Sequence, residues 1–318
     1  MPRSDSPPVE IRVDAAIVAV TGGAPKVCTV GGDPPALPSG ALDLARDRTL
    51  EIALRRRVTE QTGIELGYVE QLYTFGDRHR QPTERSGGAR VVSVAYLALA
   101  RESPPEEPIS PATTAWRDLY SFLPWENRLA GGGERIAPNL QEWIEQPKEQ
   151  RQRTRRRDRA EMSFGVGGAP WDGEGVLERY ELLYEAGLVE EFHRDRQQDS
   201  EPIGATLGDA MSVDHRRICA TALGRIRGKI RYRPLVFELL PERFTLFELQ
   251  RVVEALAGVP IHKQNFRRVV DRGGLVEGTG KYRSRVRGRP AELFRFRKDV
   301  LRERQGPGVG LPVARFEP

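Results

Sequence analysis

Cysteine is nearly absent, with Cys28 and Cys219 the only two in 318 residues. Two thiols cannot build a disulfide scaffold or a four-cysteine zinc site, and their scarcity fits a reducing compartment. Histidine is equally sparse. His79, His193, His215 and His262 are scattered without metal-ligand spacing, so each reads as a surface or hydrogen-bonded histidine and no metal site is expected. No window approaches about eighteen uninterrupted apolar residues, which argues against a membrane-spanning helix. The opening Met1–Asp5 has no hydrophobic signal core. A cytoplasmic protein with no membrane partner is expected.

What remains is the composition of a soluble globular chain, 38% hydrophobic and 30% charged, long enough for about two domains. The net charge of +5 conceals an asymmetry. Ala222 to Arg304 carries 21 Lys and Arg against 9 Asp and Glu, a net of +12. The first 221 residues carry 28 basic against 35 acidic, a net of −7. An acidic domain followed by a basic one suggests a module that touches a polyanion.

Residues 1–10 are polar and Pro-rich and read as disordered, as does the tail 303–318. Asp14–Val20 and Lys26–Val30 are strand-length apolar runs joined by the turn Thr21–Pro25. Thr49–Gln61 has Leu50, Leu54 and Val58 at helical spacing and Gly63 as a stop. Tyr68–Phe75 and the long apolar Arg90–Ala100 read as further strands. Helices are expected over Gly175–Glu190, with Val176, Leu177, Tyr180 and Leu183 as the apolar stripe, and over Val213–Ile230. Gln150–Arg159 holds six Arg and one Asp; a solvated helix face or linker is the plain reading, nucleic-acid contact the other.

The C-terminal part is the most specific. Thr245-Leu-Phe-Glu248 is a capping box opening a helix with Leu246, Leu249, Val252 and Val253 on one face, ending near Gly258. A second helix follows from His262 to Asp271, with Phe266, Val269 and Val270 inward and Lys263, Gln264, Arg267 and Arg268 elsewhere. Two short helices around a tight turn, the second rich in Lys, Gln, Asn and Arg, make a helix-turn-helix. Arg and Lys suit guanine or phosphate, Gln and Asn adenine. A hairpin wing follows, from Gly274–Glu277 to Ala291–Phe296. Its loop carries Lys281, Arg283, Arg285, Arg287 and Arg289, every second residue basic and so sharing one face if extended. Candidate DNA contacts are therefore Thr245, Lys263, Gln264, Asn265, Arg267, Arg268, Lys281, Arg283, Arg285 and Arg287. A helical dimerisation module with solvated charges is the alternative.

Gly40–Ile64 resembles a Nudix box, whose pattern is G-x5-E-x7-R-E-U-x-E-E-x-G-U with U aliphatic. Arg56, Val58, Glu60, Gly63 and Ile64 match its closing half. Arg57 stands at the catalytic Glu, Gln61 at the second of the paired carboxylates, the opening Gly is displaced by two residues, and no early Glu is present. Pyrophosphate hydrolysis needs Mg²⁺ held by carboxylates on one helix face, and Glu60 alone is a poor site. The box keeps a loop-helix-loop form without its catalytic groups, so no catalytic residue and no required cofactor is expected.

A degenerate Nudix domain followed by a winged helix resembles the Nudix-related transcriptional regulators of NAD metabolism. Gly224–Gln250 is similar to that family's interdomain junction, and Asn265–Arg268 with Gly274–Val276 to its recognition helix and wing. The stretch containing Trp116–Trp125 is most similar to the alphaproteobacterial branch. His262 departs from the Asp or Asn expected as a helix cap. The resemblance implies an α+β protein: a Nudix-like α/β/α sandwich with a mixed sheet over 11–230, an insertion around 126–205, and a winged helix-turn-helix over 231–302. It further implies a homodimeric repressor of NAD-biosynthesis genes that binds double-stranded operator DNA and senses NAD, ADP-ribose or ATP. Tyr73, Phe75 and Tyr96 are candidates to stack a base or line the pocket, and Arg78 and Arg80 to pair with phosphates. Two rivals stay open: an active Nudix pyrophosphohydrolase on ADP-ribose-like substrates, and a sugar-responsive repressor on the same scaffold.

Overall fold

The computed structural model describes residues 8–78, 81, 84, 86–102, 114–196, 206–283 and 290–299. Strands β1 (Val9–Thr21), β2 (Ala24–Thr29), β3 (Ser39–Ala41), β4 (Val69–Phe75), β5 (Arg90–Leu99) and β6 (Ala115–Asp118) form one sheet. Its order is β4-β5-β1-β2-β6, with β3 beside β1. The sheet is mixed: β1 runs parallel to β5 and antiparallel to β3. The chain enters it earlier than its composition suggests. Val9, inside the stretch expected to be disordered, already pairs with Arg90, because ten consecutive residues of β1 lie in register on β5.

Alternation along β1 separates two faces. Val13, Ala15 and Ile17 pack with Val94, Tyr96 and Ala98 of β5 against Ala53, Leu54 and Val58 of helix α1 (Leu50–Thr62). Thr49 caps α1 by accepting from the Ile52 N–H, and Gly63 closes it in the left-handed region at φ 71°. Asp14 points the other way. There it accepts from the Ser93 hydroxyl and faces His215 Nε2 at 3.8 Å. A helix therefore lies on each face, as the expected sandwich requires.

In chain order, five longer helices come after the last strand of the sheet and before the C-terminal module: α2 (Ala137–Glu145), α3 (Gln150–Phe164), α4 (Val176–Glu185), α5 (Glu190–Arg196) and α6 (His215–Ile230). The single helix expected over 175–190 is divided, because Gly187 at φ 71° ends the first segment before α5 begins. The module itself has α7 (Leu246–Ala257), α8 (Lys263–Gly273) and the hairpin of β7 (Val276–Arg283) with β8 (Ala291–Phe296). Phe244 bridges to Phe294, and Phe237 stacks on Phe296 with centroids 4.4 Å apart, which ties the hairpin to the segment before α7. No helix among the described residues is long and apolar enough to cross a membrane.

The chain divides into two compact units, Met1–Ala19 with Lys26–Pro124 and Tyr180–Ala222, and Val20–Pro25 with Trp125–Arg179 and Leu223–Pro318. The cut expected at 230/231, with 126–205 inserted in the first domain, differs from this division. Trp125–Arg179 gathers with the C-terminal module because a buried ion cluster joins them. Glu126 is fully buried and accepts from Arg179 Nε at 2.6 Å and Nη2 at 2.9 Å, and from Arg227 Nη1. Both arginines also bond carbonyls, Arg179 those of Ser163 and Asp172, Arg227 that of Gly173. Each lies about one ring's width from Trp171, at 5.3 and 5.4 Å from its centroid. Burial works against the ionised carboxylate, yet Arg227 and Arg179 outweigh it and hold Glu126 below its usual range.

Candidate functional site

In the second unit, Thr245 and Glu248 form the complete capping box of α7: the Glu248 N–H donates to the Thr245 hydroxyl, and the Thr245 N–H donates to Glu248 Oε2 at 2.8 Å. Leu249, Val252, Val253 and Leu256 bury the inner face of α7, and Gly258 ends it at φ 72°. Helix α8 buries only Phe266 and Val270. Lys263, Gln264, Asn265, Arg267 and Arg268 are all exposed. That face offers guanidinium, ammonium and carboxamide groups to a groove about the width of a helix, which is what base-edge and phosphate recognition requires. On β7, Lys281 and Arg283 are exposed, with Arg283 ion-paired to Glu248. Burial disfavours the Glu248 carboxylate, but the Thr245 amide and Arg283 hold it below its usual range.

In the first unit, the degenerate box has an internal use for each altered position. Gln61 accepts from the Ser39 N–H at 3.0 Å and donates to the Ser39 carbonyl at 2.8 Å, fastening β3 to α1. Arg57 lies against Gly40, donates to the Ala41 carbonyl at 3.1 Å and reaches Glu60. Arg56 is held bidentately by the buried Asp47, at 2.9 and 2.7 Å, and bonds both oxygens of Glu60. The Arg56 guanidinium draws the Asp47 carboxyl down to about 2 and depresses that of Glu60. Among the described residues no group of three or more His, Cys, Asp or Glu is arranged to hold a metal ion. These residues do not fit a divalent cation: the one retained carboxylate of the box is already neutralised by two guanidiniums.

The first unit also contains a cavity of about 430 Å³. Tyr180 and Tyr184 of α4 and Arg78, Arg196 and Arg217 line it, together with several acids. Those acids are largely engaged: Asp77 and Glu181 with Arg217, Glu191 with Arg216, and Asp195 with Tyr184. Among the described residues, Arg78 and Arg196 have no carboxylate partner. Val213, also on the wall, is a β-branched residue held at φ 55°. Such strain persists only where surroundings over-determine it, and Arg194 does so by bonding the carbonyls on either side, Met211 at 2.8 Å and Val213 itself.

Residues 236–296 match the model of the NrtR DNA-binding winged helix domain. Over 301 residues the chain is 25% identical to the ADPR responsive transcriptional repressor NtrR of Acinetobacter baylyi, covering 92% of this chain and 84% of that protein. The structure of Shewanella oneidensis NrtR complexed with a 27mer DNA superposes with a TM-score of 0.56 at 24% identity, over 91% of this chain and 94% of that one. Another structure of Shewanella oneidensis NrtR gives 0.53 at 23% identity, over 92% and 95%. The C-terminal module thus matches an NrtR-type winged helix, and with the mixed sheet and its loop-helix-loop the fold is similar to that of Shewanella oneidensis NrtR.

Measured on that frame, the candidate residues fall into groups. Five of them form the exposed face of α8. Thr245 does not join them: it is 5% exposed and its hydroxyl is engaged in the cap, so its part is structural. Arg285 and Arg287 of the wing loop, like Arg80, lie outside the described residues. Of the described pocket candidates only Arg78 lines the cavity. Phe75 is buried, with its ring 5.9 Å from the Arg217 guanidinium on that wall. Tyr73 is 62% exposed, edge-on to Phe75. Tyr96 lies in the core under α1, its hydroxyl pushed up by burial and by Glu51, and is a packing residue. The sequence reading missed Tyr184, Arg196 and Arg217, and counted Tyr180 only as core. Tyrosines four apart on α4 were the available signal, since each carries a hydroxyl that burial must satisfy.

Proposed function

We propose that this chain is a DNA-binding transcriptional repressor of NAD-biosynthesis genes, acting as a homodimer, whose first unit senses ADP-ribose or a related adenine nucleotide. The observation that carries this reading is the wholly exposed Lys, Gln, Asn and Arg face of α8 within the matched winged helix. The ADP-ribose response of the Acinetobacter baylyi relative supports the effector class. The cavity supports it chemically: Arg78 and Arg196 suit a pyrophosphate, and the half-buried ring of Tyr184 suits a base or ribose. The Nudix-like helix does not hydrolyse, because Arg57 and Gln61 brace β3 where carboxylates would hold a metal. A ligand favouring one arrangement of the dimer then shifts its population toward or away from the spacing two half-sites demand.

The test is a gel shift on the promoters neighbouring the chain's own gene, titrated with ADP-ribose, NAD and ATP. Arg267→Ala should weaken operator binding about ten- to a hundredfold, the effect of losing one good base or phosphate contact. Unchanged affinity removes α8 as the reading helix. Hydrolysis of ADP-ribose with Mg²⁺ at an ordinary turnover of about 1 s⁻¹ or more overturns the sensor reading in favour of an enzyme.

A further inference from the structure

The turn between α7 and α8 is built without the feature that opens α7. Thr245 and Glu248 cap α7 with their side chains, whereas His262 at the start of α8 gives no side-chain cap, and α8 buries only Phe266 and Val270. A helix with two buried anchors and an uncapped first turn needs its direction fixed by other groups. Those groups stand in the last two turns of α7. Gln250 Nε2 donates to the Ile261 carbonyl at 2.8 Å, and the Ile261 N–H donates to Glu254 Oε1 at 3.0 Å. The two side chains, one turn apart, are also joined to each other, Gln250 Nε2 donating to the same Glu254 oxygen at 3.0 Å. Both main-chain groups of Ile261, the residue before His262, are thus held by side chains of α7.

The stability of α7 alone does not account for Glu254. It lies in the last turn of the helix, where the macrodipole disfavours a negative charge, and it is buried, where a carboxylate is costly unless bonded. Its Oε2 has the exposed Arg251 guanidinium at 3.6 Å. Its Oε1 takes the Ile261 N–H and the Gln250 amide, so the residue suits the turn better than the helix. The end of α7 is fixed separately. Arg227 Nε donates to the Leu256 carbonyl at 3.0 Å, and the Leu129 N–H donates to the Gly258 carbonyl at 3.0 Å. With α7 held there, the direction of α8 follows from the path of the chain from Gly258 to His262, and at Ile261 that path is clamped.

We propose that Gln250 and Glu254 are positioning residues for DNA recognition. By clamping Ile261 they set the angle at which the Lys, Gln, Asn and Arg face of α8 meets the groove, acting through α8 and not by touching a base. The inference rests on the DNA-binding reading above. Hydrogen bonds to base edges weaken steeply when misaligned, whereas contacts of Arg and Lys with phosphates carry no sequence information. Loss of the clamp therefore costs discrimination between sequences before it costs affinity for DNA in general.

The full chain is compared with Gln250→Met, Glu254→Leu and Glu254→Gln by fluorescence anisotropy, on an operator duplex found by the gel shift above and on a scrambled duplex of equal length. Met and Leu keep an apolar stem and lack the bonding atoms, while Glu254→Gln keeps an oxygen that accepts from Ile261 and Gln250. Gln250→Met and Glu254→Leu should each lower operator affinity about tenfold more than scrambled-duplex affinity, the cost of about one misread base pair. Glu254→Gln should keep the parent's ratio. A ratio unchanged in either of the first two variants overturns the proposal. Equal losses on the two duplexes overturn it as well, since a merely structural role or unfolding would give them. A ratio lost as fully in Glu254→Gln as in Glu254→Leu overturns the clamp as the cause. A parent that does not distinguish the two duplexes removes the DNA-binding reading and this inference with it; if the parent distinguishes them and the variants do so equally, the inference alone fails.

Discussion

Gln61 differs from the glutamate of a Nudix box by one group, and that group decides its use. Its Oε1 accepts from the Ser39 amide and its Nε2 donates to the Ser39 carbonyl. A carboxylate can do the first and not the second, and would set a charge against a carbonyl oxygen. Gln61→Glu should therefore destabilise the protein by about 1–3 kcal/mol, read as a lowered urea midpoint. A neutral or stabilising result would show that β3 is held by other means. Asp47 is the other residue-scale case. Its folded pKa of about 2 lies below the roughly 3.9 of an unfolded aspartate. The stability it contributes is complete above the unfolded value and is lost as pH falls toward 2. Asp47→Asn should melt lower at pH 7 and then lose less between pH 5 and pH 2 than the parent. Parallel decline in the two proteins would count against the Asp47–Arg56 pair as the source.

At the scale of elements, the regularly patterned segments were legible and the irregular ones were not. Leu54 and Val58 announced α1, and the capping box announced α7 at the residue where it begins, because local bonding and a periodic apolar face act over four residues. Pairing β1 with β5 depends on segments about eighty residues apart, and Val9 gave no local sign of joining it. The cavity was the least legible part. Its wall takes Arg78 from the loop after β4 and Tyr180 and Arg217 from α4 and α6, so no spacing in the sequence joins them. Glu126 was missed for the same reason. An isolated acid in a Pro-Trp-Glu turn shows nothing until Arg179 and Arg227 fold onto it. Its removal should matter more than any surface charge: Glu126→Gln leaves two buried guanidiniums without a counter-charge, a loss of about 3–5 kcal/mol. Trp125, Trp143 and Trp171 lie in the second unit and Trp116 in the first, so tryptophan fluorescence of a Trp116→Phe background during denaturation reads the unit affected. A loss below about 1 kcal/mol would mean that packing alone sustains the cluster.

At the scale of the whole molecule, the charge division anticipated the basic module that matches a DNA-binding winged helix. The count from Ala222 onward captured α8 and the wing. The unit that holds the winged helix is discontinuous in sequence, and this shapes its assembly. Glu126 leaves the ribosome about a hundred residues ahead of Arg227, with the whole of the first unit's last segment, Tyr180–Ala222, synthesised between them. During that interval Trp125–Arg179 has its acid and half of its basic partners, and its apolar faces lack α7. Contacts of such separation form late and slowly. The DNA-reading surface thus acquires its final frame only when translation is close to complete, and a nascent chain stopped before Leu223 holds half of an interface with nothing to close it.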